Sequence, residues 1–436
     1  MTCTGRRRHA SRRAPRDARR RTRLLPSCCT PGSQQACACL RSAQRSAPCR
    51  GGTTVSASPP TTAADRLVGL DTLRTIAIVH VVLAHGAMTF MPALPGVGGR
   101  VVWWLIAANF GVPLFFVLSG FLITRQLADG MPTGTFYRHR LAKIYPTFAL
   151  AVVVFGLIAG VTDLKAWLLH LTALHNFAYS MSGRMSGHLW SLAVELQFYA
   201  LAPLLFALGY RRLSAPRMAA LVALVWAAHA WLLVGATPPV QAARLAALLN
   251  IYQYTSFNIV ALLLGALLYK AYATGARWPG AAPLGLAAAL GMPAICAMVL
   301  PSLQVNSADL TRNGDALALL LLICLPPVAS VCLGHLTLQR QWFTGPAWRR
   351  WSAFFAAISY QWYLWHPLVL LGFHRAATRW AGVDAWVRAW PWLALAAYGA
   401  LSASLAWLAY RFVEQPLHAR LRASLGGPGR LPGANA

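Results

Sequence analysis

The chain reads as an all-α membrane protein, a bundle of about ten transmembrane helices with both termini on the cytoplasmic side. Three observations lead there. Only 11% of its 436 residues are charged and 57% are hydrophobic, with a mean hydropathy of +0.50. Soluble domains carry about 25% charge. The apolar residues fall into blocks of about 18–23, the length that crosses a bilayer as helix. Basic residues collect in alternate loops between those blocks, which sets orientation.

The elements follow in order. Residues 1–60 hold Arg, Ser, Pro and Cys without an apolar run, so they cannot fold around a core and are not a secretory signal. They read as a disordered leader or a start placed too early, with Val55 a candidate for the true start; an organelle transit peptide is the alternative. The apolar blocks then run roughly 72–91, 101–123, 145–161, 189–208, 218–235, 256–274, 281–300, 316–336, 353–373 and 391–410. Amphipathic pieces near 164–175 and 240–252 read as interfacial or re-entrant, and 421–436 as a disordered tail. Loops after even-numbered blocks carry twelve bases, among them Arg125, Arg138, Arg140 and Lys143, against Asp129 alone; the other side has eight bases and four acids. The basic side is therefore expected in the cytoplasm.

The net charge of +29 does not mark a nucleic-acid binder, because 13 Arg sit in the first 50 residues and most other bases lie in short loops. Six of nine Cys share that leader, and no His follows Cys37 and Cys39 at zinc spacing, so no metal site is expected.

Ionisable residues inside spanning segments face a cavity or a partner by default. In the first block, LDTLRTIAIVHVVLAHG, Arg74 and His85 are eleven residues apart, about 20° off one face and about 16 Å along the axis. They line one groove without touching. His80 lies about 140° from His85 and reads as packed. Asp71 stands three residues before Arg74, where it can pair with it. Of the two glutamates, Glu195 lies inside the fourth block and is expected to face the cavity near an Arg or His. Glu414, at the cytoplasmic end of the last block, reads as structural and paired with a loop Arg. Ser119 and Gly120 in GVPLFFVLSGFLIT allow close approach of a helix or a ligand.

Together these stretches resemble the acyltransferase 3 family of integral membrane O-acyltransferases over residues 65–420. The marks are Arg74 with His85, FFVLSGFLIT (115–124), FYRHRL (136–141), WSLAVELQFY (190–199), ISYQWYLWHPL (358–368) and FVEQPL (412–417), in the family's order. Two departures stand out: Thr72 occupies the usual glycine of Asp-Gly-Leu-Arg, and Leu196 the second of paired glutamates. The resemblance implies that His85 and Arg74 are essential. His85 would take the proton of an attacking hydroxyl or itself accept the acyl group. Arg74 would hold a phosphate or carbonyl of acyl-CoA, helped by Arg138 and Arg140. Glu195 would orient an imidazole or Arg, and Ser119 would contact donor or acceptor. His366 is a second candidate, against a capping role.

It further implies acyl-CoA, acetyl-CoA in the first instance, as co-substrate, with no resident cofactor. The acceptor would be a carbohydrate or glycoconjugate, and the location the bacterial inner membrane. Acylation of a secondary metabolite such as a glycosylated antibiotic, and succinylation of a glycan, are enzyme variants. A proton-coupled transporter or flippase is the rival from another class, since intramembrane His, Arg and Glu suit it too.

Overall fold

The computed structural model describes residues 68–91, 110–177, 181, 183–236, 255–291, 313–340 and 345–424. The expected leader, the 240–252 piece and residues 425–436 lie outside them. Among the described residues there is helix and no strand, and helix occupies at least part of each apolar block.

The helices are α1 (Val68–Phe90), α2 (Gly111–Ala128), α3 (Thr133–Ile158), α4 (Leu164–Leu171), α5 (Trp190–Leu205), α6 (Ala215–Ala236), α7 (Thr255–Ala273), α8 (Ala281–Gly291), α9 (Asn313–Arg340), α10 (Pro346–Arg379), α11 (Ala381–Ala389), α12 (Pro391–Ala409) and α13 (Gln415–Ser424). Short 3₁₀ turns precede α5, and π-helical turns follow α5 and α12. By length and composition, five segments among the described residues can cross a bilayer: α1, α2, α3, Gly187–Tyr210 and Pro391–Leu421. Residues 421–424, expected in the tail, end helix α13.

Local sequence sets the breaks. Gly130 and Gly160 adopt positive φ just beyond α2 and α3, where a left-handed residue closes a helix C-terminus. Asp163 caps α4, accepting from the Lys165 amide at 3.0 Å, and is held by Arg184 at 2.7 Å. Prolines stand in the first turn of α10 and of α12, where no amide partner is lost. Residues 136–144, expected as a loop before the 145–161 block, instead lie within the first turns of α3, which starts at Thr133. Pro132 supplies an extended N-cap, and the residues after it lack a further break until Pro146. Arg138, Arg140 and Lys143 are therefore helical side chains with fixed directions.

Helix α1 is central. Leu73, Ala77, Ile78, Val81 and Val82 are buried along it. Helix α10 runs beside it in the same direction. Trp348 Nε1 donates to Thr72 Oγ1 at 2.9 Å, Thr75 Oγ1 to the Ser352 carbonyl at 3.1 Å, and Phe90 meets Phe373 at 5.2 Å between ring centroids. Helix α12 returns antiparallel: Trp362 Nε1 donates to Ser402 Oγ at 2.8 Å, and Tyr398 reaches Phe90. His80 packs its ring on Phe110 at 4.3 Å, as expected of a residue turned away from the groove.

Helices α2 and α7 cross backbone to backbone. A Cβ at Gly120 would overlap the Leu262 carbonyl, and one at Gly265 the Val117 carbonyl. Small residues at such crossings gain dispersion that lipid cannot match. Gly120→Val is expected to cost about 3 kcal/mol, the upper range for overpacking. Thermal unfolding in detergent measures this, and an unchanged midpoint would contradict the close crossing.

Candidate active site

Two polar clusters lie at different depths along α1. The first surrounds His85. Its Nδ1 lies 3.0 Å from the Val81 carbonyl and 3.2 Å from Nε2 of His366 on α10. The two rings are 5.0 Å apart. His85 is half-buried, whereas His366 is wholly buried at 0% exposure, so only His85 has surface for a substrate. The second nitrogen of His366 faces the Trp362 carbonyl at 3.1 Å and the Tyr363 carbonyl at 2.8 Å.

A third imidazole, His188, enters from the turn before α5, 5.5 Å from the His366 ring. Its Nε2 donates to the Leu364 carbonyl at 3.1 Å, which leaves Nδ1 to accept from Ser186 Oγ at 2.7 Å. Tyr363 OH donates to the His188 carbonyl at 2.8 Å and pairs with Ser191 Oγ at 2.6 Å. These bonds fix α5 against α10 at the depth of the histidines. Among the described residues, no three His, Cys, Asp or Glu side chains converge as metal ligands would.

The second cluster lies toward the Arg74 end. Ser119 Oγ and Tyr199 OH both donate to Glu195 Oε1, each at 2.5 Å. Arg140 lies over the Tyr199 ring at 5.2 Å and over Phe136 at 5.7 Å, and its Nη2 donates to Gln126 Oε1 at 2.7 Å. Lys143, one turn further on, is within electrostatic reach of Arg74, Arg140, Glu195 and Glu414. Helices α1, α3 and α5 and the π-turn after α12 thus bring three cations and two carboxylates together. Their net positive charge suits an anionic group, and Arg presents a fork that matches phosphate.

The sequence-derived site residues divide accordingly. His85 and His366 meet directly. Arg74, Arg140 and Glu195 share the charged cluster, and Ser119 joins it by bonding Glu195. Asp71 is 5% exposed near the start of α1, one turn before Arg74. Arg138 is separated from the rest: it is exposed, and its Nε donates to the Gly134 carbonyl of its own helix at 3.3 Å. Residues two apart on a helix point about 200° apart, so Arg138 and Arg140 cannot serve one ligand from α3. Among the described residues, Glu414 does not pair with a loop Arg. It is 4% exposed and accepts from Gln361 Nε2 at 2.7 Å, and Gln361 in turn accepts from Trp365 Nε1 at 2.9 Å. The π-turn at 410–414 carries the carboxylate inward against α10. Sequence reasoning missed His188 and Tyr199. The signal for His188 was present in Ser186-Gly187-His188, just before a helix start.

A family model described as an acyltransferase domain, acyltransferase 3, matches residues 67–411. The chain belongs to the acyltransferase 3 family. Similar proteins include Nodulation protein 10 of Rhizobium leguminosarum bv. viciae, 31% identical over 37% of this chain and 50% of that protein. Acyltransferase MdmB of Streptomyces mycarofaciens is 30% identical over 33% of this chain and 40% of its own length. A putative O-acetyltransferase of Staphylococcus aureus strain COL is 28% identical over 31% of this chain and 24% of its length. The matched stretches therefore span half or less of these relatives. No solved structure matches. Both departures from the acyltransferase 3 pattern have a physical place. Thr72 is fully buried and accepts the Trp348 indole N–H, and Leu196 packs against the hydrophobic core.

Proposed function

We propose that this chain is a membrane-bound O-acyltransferase that moves an acyl group, acetyl in the first instance, from acyl-CoA to a hydroxyl of a carbohydrate. The observation that carries this reading is the half-buried His85, tied through Nδ1 to a buried His366, on the same helix as Arg74 in a net-positive cluster. An anionic donor would anchor its phosphates at Arg74, Arg140 and Lys143. Its extended arm would lay the thioester along α1 toward His85, about 16 Å away.

In the step proposed, His85 takes the proton of the acceptor hydroxyl as its oxygen bonds to the thioester carbonyl carbon. The carbon–sulfur bond then breaks, and the proton passes from His85 to the leaving thiolate. The products are an ester and a free thiol, and the imidazole ends as it began. We assign the membrane domain to residues 65–420, with ten spans, both termini in the cytoplasm and the Arg74 end facing it. The bacterial inner membrane is the location that fits this topology and a cytoplasmic acyl-CoA. The positive-inside distribution of Lys and Arg supports that orientation.

The test is purified protein in proteoliposomes with radiolabelled acetyl-CoA and a cell-envelope glycan fraction. Base-labile label on the glycan is expected. Thioester consumed with the label on another class of acceptor would refute the carbohydrate. The two arginines of α3 give a second expectation. Arg140→Ala should raise the KM for acyl-CoA about tenfold, the loss of one charge-assisted contact of about 1.5 kcal/mol. Arg138→Ala should change it less than twofold. Equal effects would remove Arg140 from donor binding.

A further inference from the structure

The dipeptide His366-Pro367 has a use beyond packing. Proline lacks an amide hydrogen, so in α10 the carbonyl of Tyr363, four residues earlier, loses its helical donor. His366 Nδ1 sits 2.8 Å from that carbonyl and 3.1 Å from the Trp362 carbonyl. Carbonyl oxygens only accept, so Nδ1 bears the hydrogen. In the neutral ring Nε2 then holds the lone pair, and it lies 3.2 Å from His85 Nδ1. The other imidazole in range, His188, has both nitrogens engaged with Ser186 and Leu364.

We propose that His366, its tautomer set by Pro367, is the positioning residue that fixes the tautomer of His85. His366 Nε2 accepts the hydrogen on His85 Nδ1, a hydrogen the Val81 carbonyl also favours at 3.0 Å. Nε2 of His85 is left with the lone pair, and it is the atom that takes the hydroxyl proton. When it does so, Nδ1 keeps its hydrogen, and the His366 lone pair steadies the imidazolium. This inference rests on the proposed acyl transfer for its rate effect, but the tautomer itself does not. On this proposal His366 acts through His85 and does not itself contact donor or acceptor.

Solid-state NMR of protein labelled with ¹⁵N-histidine, in lipid, reads the tautomers directly, with His85 and His366 assigned by loss of their signals in His85→Gln and His366→Gln. At neutral pH both are expected to carry hydrogen on Nδ1. Hydrogen on Nε2 of His85 overturns the proposal, whatever the enzyme assay shows. In acyl transfer, His366→Ala is expected to lower kcat about 100-fold, at the low end for a positioned acid–base group, with the KM for acyl-CoA within twofold. His366→Gln, whose carbonyl can accept from His85 Nδ1, should recover about tenfold of this. Pro367→Ala returns an amide to the Tyr363 carbonyl and should lower kcat several-fold. Equal losses in the Ala and Gln variants, or loss confined to KM, would overturn the positioning role. Absence of any transfer by the wild type, with both rings on Nδ1, would sink the proposed reaction and leave the tautomer device standing.

Discussion

His85→Ala is expected to lower kcat for acyl transfer about a thousandfold, in the middle of the range for a positioned acid–base group, and to leave the KM for acyl-CoA within twofold. The donor's anionic end would be held at Arg74, Arg140 and Lys143, about 16 Å from the imidazole, so ground-state donor binding would not depend on His85. The proposed chemical step would. A sugar hydroxyl is a weak nucleophile near neutral pH until a base removes its proton. Among the described histidines of the cluster, His366 is fully buried and His188 has both nitrogens engaged, which leaves His85 as the ring able to meet the hydroxyl. Steady-state kinetics on wild type and variant measure both constants. A loss confined to KM would make His85 a binding residue instead.

The second large effect concerns Glu195. Its Oε1 accepts two hydroxyls at 2.5 Å, from Ser119 on α2 and Tyr199 on α5. Hydrogen bonds to a charged group contribute about 1.5–3 kcal/mol each. Glu195→Ala removes both, leaves two hydroxyls without this acceptor, and strips a negative charge from a cluster of three cations. A loss of at least about 3 kcal/mol is expected. Glu195→Gln keeps one carbonyl oxygen in place and should lose about half as much. Thermal unfolding of the three proteins in the same detergent decides it. If the Ala variant melts with the wild type, the carboxylate is not what joins α2 to α5.

Much of this site could be read from residue spacing. Helical arithmetic put Arg74 and His85 on one face and turned His80 away, and the ring of His80 does pack on Phe110. The same arithmetic would have separated Arg138 from Arg140, but residues 136–144 read as loop because their charges precede the apolar run. A basic helix start looks like a basic loop when only composition is weighed. Long-range pairings stayed hidden. Nothing local says that Gln361 meets Glu414, or that Ser119 and Tyr199 are the direct partners of Glu195 while the expected neighbouring Arg, Arg140, stands behind the tyrosine ring. Those contacts depend on how α5, α10 and the π-turn pack, and π-turns have no simple sequence period. His366 was visible as a polar residue in an apolar block. The role proposed for it rests on the neighbouring carbonyls, which no local pattern locates.

One experiment separates an acyltransferase from a transporter most directly. Sealed proteoliposomes receive radiolabelled acetyl-CoA together with a soluble sugar acceptor, and free thiol, esterified sugar and unmodified sugar inside the vesicles are followed together. One thiol released per ester formed, with both lost in His85→Ala, is the expected result. Unmodified sugar accumulating inside the vesicles without thiol release would contradict acyl transfer at His85.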